Sequence, residues 1–272
     1  MKWTKDKIMA RLQEQYNEAL KYFPEDRIVG IFLQGSQNYG LATDESDIDS
    51  KLIVLPTFED ICFARKPIST THICENDEHI DFKDIRLMFQ TFRKQNLNFI
   101  EILFTEYRII NPIYEHLWMM IDEEREAIAR YNVVKCLLTM SGIASEKYHA
   151  MEHHYPSRMY MIEKFGYDPK QLHHLLRIEE FLNRYIAGEP FADCLISKNP
   201  EYLIGVKQGW YSLTQARLIG MGAYETIRDT VTFEKTYGKD ESNPEVDKLL
   251  DFVQREIMKE AIRRELEVAD DD

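Results

Sequence analysis

Asp47 and Asp49 stand two residues apart in Ser46-Asp47-Ile48-Asp49-Ser50, just before the apolar run Leu52–Leu55. Along an extended strand, side chains alternate faces. The two carboxylates therefore project to one side, about 7 Å apart, with Ile48 on the other. Like charges so placed repel unless a cation lies between them, and hard oxygen donors suit Mg2+, with Mn2+ as a substitute. A third carboxylate, Asp81, lies between Ile80 and Phe82 on what reads as a neighbouring strand and is expected to share the same two ions. Three carboxylates around two ions is an arrangement for in-line displacement at phosphorus. Gly35-Ser36, at the end of an earlier apolar run, adds a phosphate contact: glycine lets backbone amides approach, and the Ser36 hydroxyl can donate.

These residues need a scaffold, and the pattern around them supplies one. Thr4 to Tyr22 reads as a helix, with Ile8, Leu12 and Tyr16 at four-residue spacing. Ile28–Leu33 and Asp47–Leu55 read as strands joined by the polar segment Gln34–Ser46. Thr70–Cys74 and Glu78–Lys83 read as the arms of a hairpin, and Asp84 as the N-cap of a helix running to about Gln95. Beyond Pro112 the period is helical: 115–131, 133–149, 169–186, 200–228 and 244–267. The expected fold class is α+β, a small mixed sheet with flanking helices followed by an all-helical region, with residues 1–112 as a catalytic domain and 113–272 as a helical domain.

A lone Asp-x-Asp is common on solvated turns, and phosphatases of the haloacid dehalogenase type also use one. In those phosphatases an apolar strand precedes the nucleophile, whereas here polar Thr43-Asp44-Glu45-Ser46 precedes and the apolar run follows. Gly35-Ser36-Gln37-Asn38-Tyr39-Gly40-Leu41, followed by Ser46-Asp47-Ile48-Asp49 and by Ile80-Asp81-Phe82, instead resembles the signature of DNA polymerase beta superfamily nucleotidyltransferases. More narrowly it is similar to the bacterial and phage branch associated with RNA repair, in which an arginine often stands at the position of Gln37. Asn98–Phe104 resembles that branch's N-x-x-E-x-L-F, and Lys164 to Arg177 its K-x-G-Y-D-x-K-x-x-x-H-x-x-R. The resemblance spans roughly residues 28–187. It implies transfer of a nucleoside monophosphate from an NTP, with ATP as the expected donor, to a hydroxyl acceptor and release of pyrophosphate. An RNA end is the favoured acceptor. A protein side chain (AMPylation) and a catalytically silent nucleotide or RNA sensor are the alternatives.

Lys170, His174 and Arg177 fall on one helical stripe and, with Lys164, are expected to bind the donor triphosphate, whose departing pyrophosphate needs donors set in place beforehand. Tyr167 reads as a buried anchor or a base-stacking ring. Glu101 reads as an exposed helix residue or a partner of the site's cations. His149 and His153 share zinc-binding spacing, but nothing completes a site, and a structural or solvated pair is expected. Trp118, Met119 and Met120 read as core and domain interface.

Composition narrows the classes. Of 272 residues, 44% are hydrophobic and 30% charged, an ordinary globular balance, with a formal charge of −13. That charge argues against binding nucleic acid by bulk electrostatics. Residues 221–272 hold 15 acids and 8 bases, a net of −7, while 156–218 hold 7 acids and 8 bases, a net of +1. A polyanion is therefore better received by the middle of the chain. No run approaches the ~18 apolar residues of a membrane span. The four scattered cysteines, without a C-x-x-C pair, read as reduced thiols of a cytoplasmic protein. The acidic C-terminus from Glu267 to Asp272 is expected to fray.

Overall fold

The computed structural model describes residues 3–270. The helix Lys5–Ala19 starts at Thr4, whose side chain accepts the amide of Lys7, and it buries Ile8, Leu12, Tyr16 and Ala19 along one stripe. That stripe packs on one face of a five-stranded sheet, against Ile28, Ile31, Leu52, Val54, Ile80 and Phe82. The strands are β1 (Ile28–Gln34), β2 (Asp49–Val54), β3 (Ser69–Ile73), β4 (His79–Asp84) and β5 (Arg108–Ile110), in spatial order β3-β4-β2-β1-β5. Strand β2 runs antiparallel to β1 and parallel to β4, so the sheet is mixed. All of β1 except Gln34 is buried. Its second face is covered by the helix Glu115–Glu123, where Phe32 meets Trp118 at 4.8 Å between ring centroids.

The expected α+β class, with strands confined to the first 112 residues, holds. The β3–β4 hairpin closes with the amide of Cys74 bonded to the carbonyl of Glu78, and Asp84 caps the helix Ile85–Arg93 by accepting the amide of Arg86. Three details differ from the periodicity. Strand β2 starts at Asp49, so Asp47 lies in the preceding loop. The expected helix 115–131 breaks at Glu124 into Glu115–Glu123 and Arg125–Ala129. The expected helix 200–228 is two helices, Pro200–Lys207 and Leu213–Tyr237, because Ser212 and Gln215 form a reciprocal capping box that starts a new helix.

The domain division also differs. The chain forms two compact units, one of residues 3–38, 42–131 and 242–270, the other of residues 39–41 and 132–241. No single cut at 112 separates them, because the C-terminal helix Pro244–Asp270 belongs to the first unit. There Arg93 pairs with Asp247 and Asp251, Tyr131 donates to Asp247, and Glu265 accepts the amide of Phe58. The helix runs to Asp270, and Asp271 and Asp272 lie outside the described residues. The second unit is helical: Val133–Ala150, Pro169–Ile186 and Leu213–Tyr237 pack on one another around Leu172, Leu175, Ile178, Phe181 and Leu182. All four cysteines are free thiols. Among the described residues, no helix is long and apolar enough to cross a membrane.

Candidate active site

The register of the sheet decides which side chains meet. Gln34 pairs with Asp49 across β1 and β2, and Lys51 pairs with Asp81 across β2 and β4. Asp49, Lys51 and Asp81 therefore share the sheet face opposite the helix Lys5–Ala19, while Ser50, Leu52, Ile80 and Phe82 face that helix. Ile48 is fully buried between an exposed Asp47 and a half-exposed Asp49, the alternation expected of the motif.

Each element of the motif is tethered. Trp3 donates its indole N–H to the carbonyl of Ser46 at 3.1 Å, and the Ser46 hydroxyl accepts the amide of Thr43 at 2.8 Å. Gln37 donates to the carbonyl of Asp47 at 2.7 Å and so anchors the aspartate loop. One carboxylate oxygen of Asp49 accepts the amide of His79 at 2.9 Å. Gly35 holds φ at +98°, a region that L side chains rarely adopt, and a Cβ there would meet nothing within 4 Å. Its amide donates to Glu101 at 3.3 Å. Glu101 is 2% exposed, so it is the buried support of the glycine turn rather than an exposed helix residue.

Lys51 changes the electrostatics of the face. It is 3% exposed, its ammonium lies 3.1 Å from Asp81 Oδ2, and it sits 4.1 Å from the centroid of the Phe99 ring. Asp81 Oδ1 accepts from the Thr71 hydroxyl at 2.6 Å. Burial pushes the Lys51 ammonium below its ordinary pKa despite the pull of Asp81. For Asp81 the balance is reversed: burial raises its pKa, but the Thr71 hydroxyl and the Lys51 ammonium more than offset it, leaving the carboxyl below the usual range. The contact geometry makes both partners charged, an ion pair on an aromatic floor. Strand period puts Lys51 on the face of Asp49, while its pairing with Asp81 follows from the register of β2 and β4.

Among the described residues, no three His, Cys, Asp or Glu side chains are grouped to hold a metal ion. Asp47 is exposed in the loop before β2, one carboxylate oxygen of Asp49 accepts the amide of His79, and Asp81 is engaged by Lys51 and Thr71.

In the second unit the stripe Lys170, His174, Arg177 does not form an exposed cationic surface. Lys170 is exposed, but Arg177 is 7% exposed with its guanidinium 4.0 Å from the centroid of the Tyr39 ring. His174 is held neutral, well below its ordinary pKa, by burial and by neighbouring His173 and Arg177. Lys164 lies exposed over the ring of Phe165. Other residues of this stretch have structural duties. Tyr167 is fully buried and donates to the carbonyl of Tyr211, which settles it as an anchor. Asp168 caps the helix Pro169–Ile186 and binds Arg158 through both oxygens. The helix bearing His149 ends at Ala150, so His149 bonds back to Ser145 while His153 packs on Tyr155. Trp118 is core, whereas Met119 is 54% exposed.

No known protein-family model matches the chain, and no curated protein matches it. Among solved structures it is similar to a crystal structure of a nucleotidyltransferase-like protein from Exiguobacterium sibiricum. The identity is 13% and the TM-score 0.31, over 92% of this chain and 80% of that one.

Proposed function

We propose that the chain is a divalent-metal-dependent nucleotidyltransferase that moves a nucleoside monophosphate from an NTP, with ATP favoured, to a hydroxyl on RNA and releases pyrophosphate. The observation that carries this reading is one sheet face bearing Asp49 and Asp81, with Asp47 two residues upstream in the adjoining loop and the Gly35-Ser36 turn leaving β1 directly beside Asp49. The oxygen donors fit Mg2+ or Mn2+. Asp47 and Asp49 would hold the ion, and Asp81 would be shared with Lys51. The chemistry such an ion would supply is neutralisation of charge at the attacking and leaving oxygens.

The remaining groups are the chain's own. The Ser36 hydroxyl donates to a phosphate oxygen, Glu101 holds the glycine turn, and Gln37 fixes the carbonyl of Asp47. Lys51 places a fixed positive charge on the carboxylate face where negative charge arrives with substrate. Lys164, Lys170, His174 and Arg177 are proposed to bind the donor triphosphate, with His174 acting as a neutral donor.

Replacing Asp47 and Asp49 together with Asn should abolish release of labelled pyrophosphate while circular dichroism and the melting temperature stay near those of the unaltered protein. Undiminished turnover in that variant would sink the mechanism. A second reading, a silent nucleotide or RNA sensor, is favoured by the engagement of Asp81 with Lys51 and Thr71. Labelling a lysate with each of the four NTPs and Mg2+ or Mn2+ separates the two. A nuclease-sensitive product supports RNA transfer, a protease-sensitive one makes the acceptor a protein, and binding without any product supports the sensor.

A further inference from the structure

The ladder between β1 and β2 has Asp49 as its first paired residue of β2, so Asp47 and Ile48 are not positioned by strand pairing. Their backbone is held instead by side chains that arrive from the other face of the sheet. Glu78, 6% exposed on the turn before β4, accepts the amide of Ile48 through Oε1 at 3.4 Å. Gln15, 3% exposed on the first helix, donates to the carbonyl of Ile48 at 2.5 Å and to Glu78 Oε2 at 3.0 Å. Its own oxygen accepts from the hydroxyl of Ser50 at 2.6 Å. Arg11 completes the set, donating to Glu78 Oε2 at 3.0 Å. Both peptide groups of Ile48 are thus bonded to buried side chains, and His79, the residue after Glu78, gives its amide to the Asp49 carboxylate.

From this arrangement we infer that Glu78 and Gln15 are positioning residues that set the spacing of the Asp47 and Asp49 carboxylates from behind the sheet and so determine the divalent-cation affinity of that pair. The inference rests on the proposed function. Its physical basis is that a buried amide and carbonyl bonded to side chains have one low-energy placement, because losing either partner leaves a buried polar group unsatisfied. Ile48 is the hinge between the two aspartates, so rotation of its peptide groups changes the separation of the carboxylates, and metal affinity follows ligand geometry. The network borders a cavity of about 400 Å3 lined by Arg11, Glu14, Gln15, Lys21, Cys74 and Glu78. Water can therefore solvate a substituted Glu78, and the fold should tolerate its loss.

The test is Mn2+ binding to the nucleotide-free protein, read by electron paramagnetic resonance, in the unaltered chain and in Glu78→Gln, Gln15→Leu, Leu12→Ala and the Asp47→Asn/Asp49→Asn pair. Leu12 lies on the same helix, fully buried and outside the network, so Leu12→Ala controls for general destabilisation. The expected result is a roughly tenfold weakening of Mn2+ binding in Glu78→Gln and in Gln15→Leu, at the lower end for residues that orient ligands. Leu12→Ala should bind as the unaltered protein does, and the double Asn variant should bind no ion at this pair. Under turnover, kcat should fall in the two network variants while KM for the NTP stays within about twofold, as for loss of an interaction felt mainly at the reacting centre. Unaltered affinity in both network variants overturns the inference and leaves the proposed function standing. Equal loss in Leu12→Ala overturns it too, by reducing the effect to stability. If the unaltered protein shows no Mn2+ binding that depends on Asp47 and Asp49, the metal-dependent reading fails and takes this inference with it.

Discussion

Replacing His173 with Asn should flatten the acid side of the protein's stability profile. His173 is 4% exposed on the helix Pro169–Ile186, with Nδ1 2.8 Å from the carbonyl of Leu203. Burial lowers its pKa to about 4, helped by Arg177, Lys207 and Lys170 and opposed by the Leu203 carbonyl. An unfolded histidine titrates near 6.5. Between those values the unfolded chain carries a proton at this site and the folded chain does not. Stability contributed by the neutral ring is therefore complete above pH 6.5 and declines as the pH falls toward 4. At about 1.4 kcal/mol per unit, one such group removes about 2 kcal/mol between pH 7 and pH 5. Asn offers an amide N–H to Leu203 near the place of Nδ1–H and cannot titrate. Urea unfolding of both proteins at pH 7 and pH 5 isolates the effect, because every other titrating group is common to the two. The loss from pH 7 to pH 5 should be smaller in His173→Asn by about 2 kcal/mol. Equal losses in the two proteins would refute the reasoning.

Two further expectations concern the sheet face. Lys51→Met keeps an apolar stem beside Phe99 but strips Asp81 of its cation. Breaking a buried pair costs about 3–5 kcal/mol, which the one-third exposure of Asp81 reduces to about 1–3 kcal/mol. Denaturant unfolding that matches the unaltered protein would contradict that assignment. Gly35→Ala should cost about 1–3 kcal/mol from backbone strain alone, since φ is +98° and the added methyl meets no neighbour. A melting temperature unchanged by this substitution would show that the turn adopts another conformation.

The sequence by itself determined the local features. Apolar spacing marked the first helix, the β3–β4 hairpin and the helical remainder, because these patterns depend on periods of 3.6 and 2 that any chain segment displays. Spacing set Asp47 and Asp49 on either side of the buried Ile48, and Asp84 capped its helix as a short polar residue before an apolar run does. Only the tertiary structure decided what depends on register and return of the chain. The pairing of Lys51 with Asp81 across parallel strands placed a cation against a carboxylate whose strand pattern gave no partner. Packing buried Arg177 against Tyr39 and left His174 uncharged, so a stripe that spacing alone drew as cationic has one exposed cation, Lys170. Pro244–Asp270 rejoined the first unit through Arg93 and Tyr131, contacts separated by more than 110 residues that no local period encodes. Gln15 and Glu78, 63 positions apart, met behind Ile48 for the same reason: long-range partners are chosen by how the faces of elements bury together, and the chain's own spacing is silent on that choice.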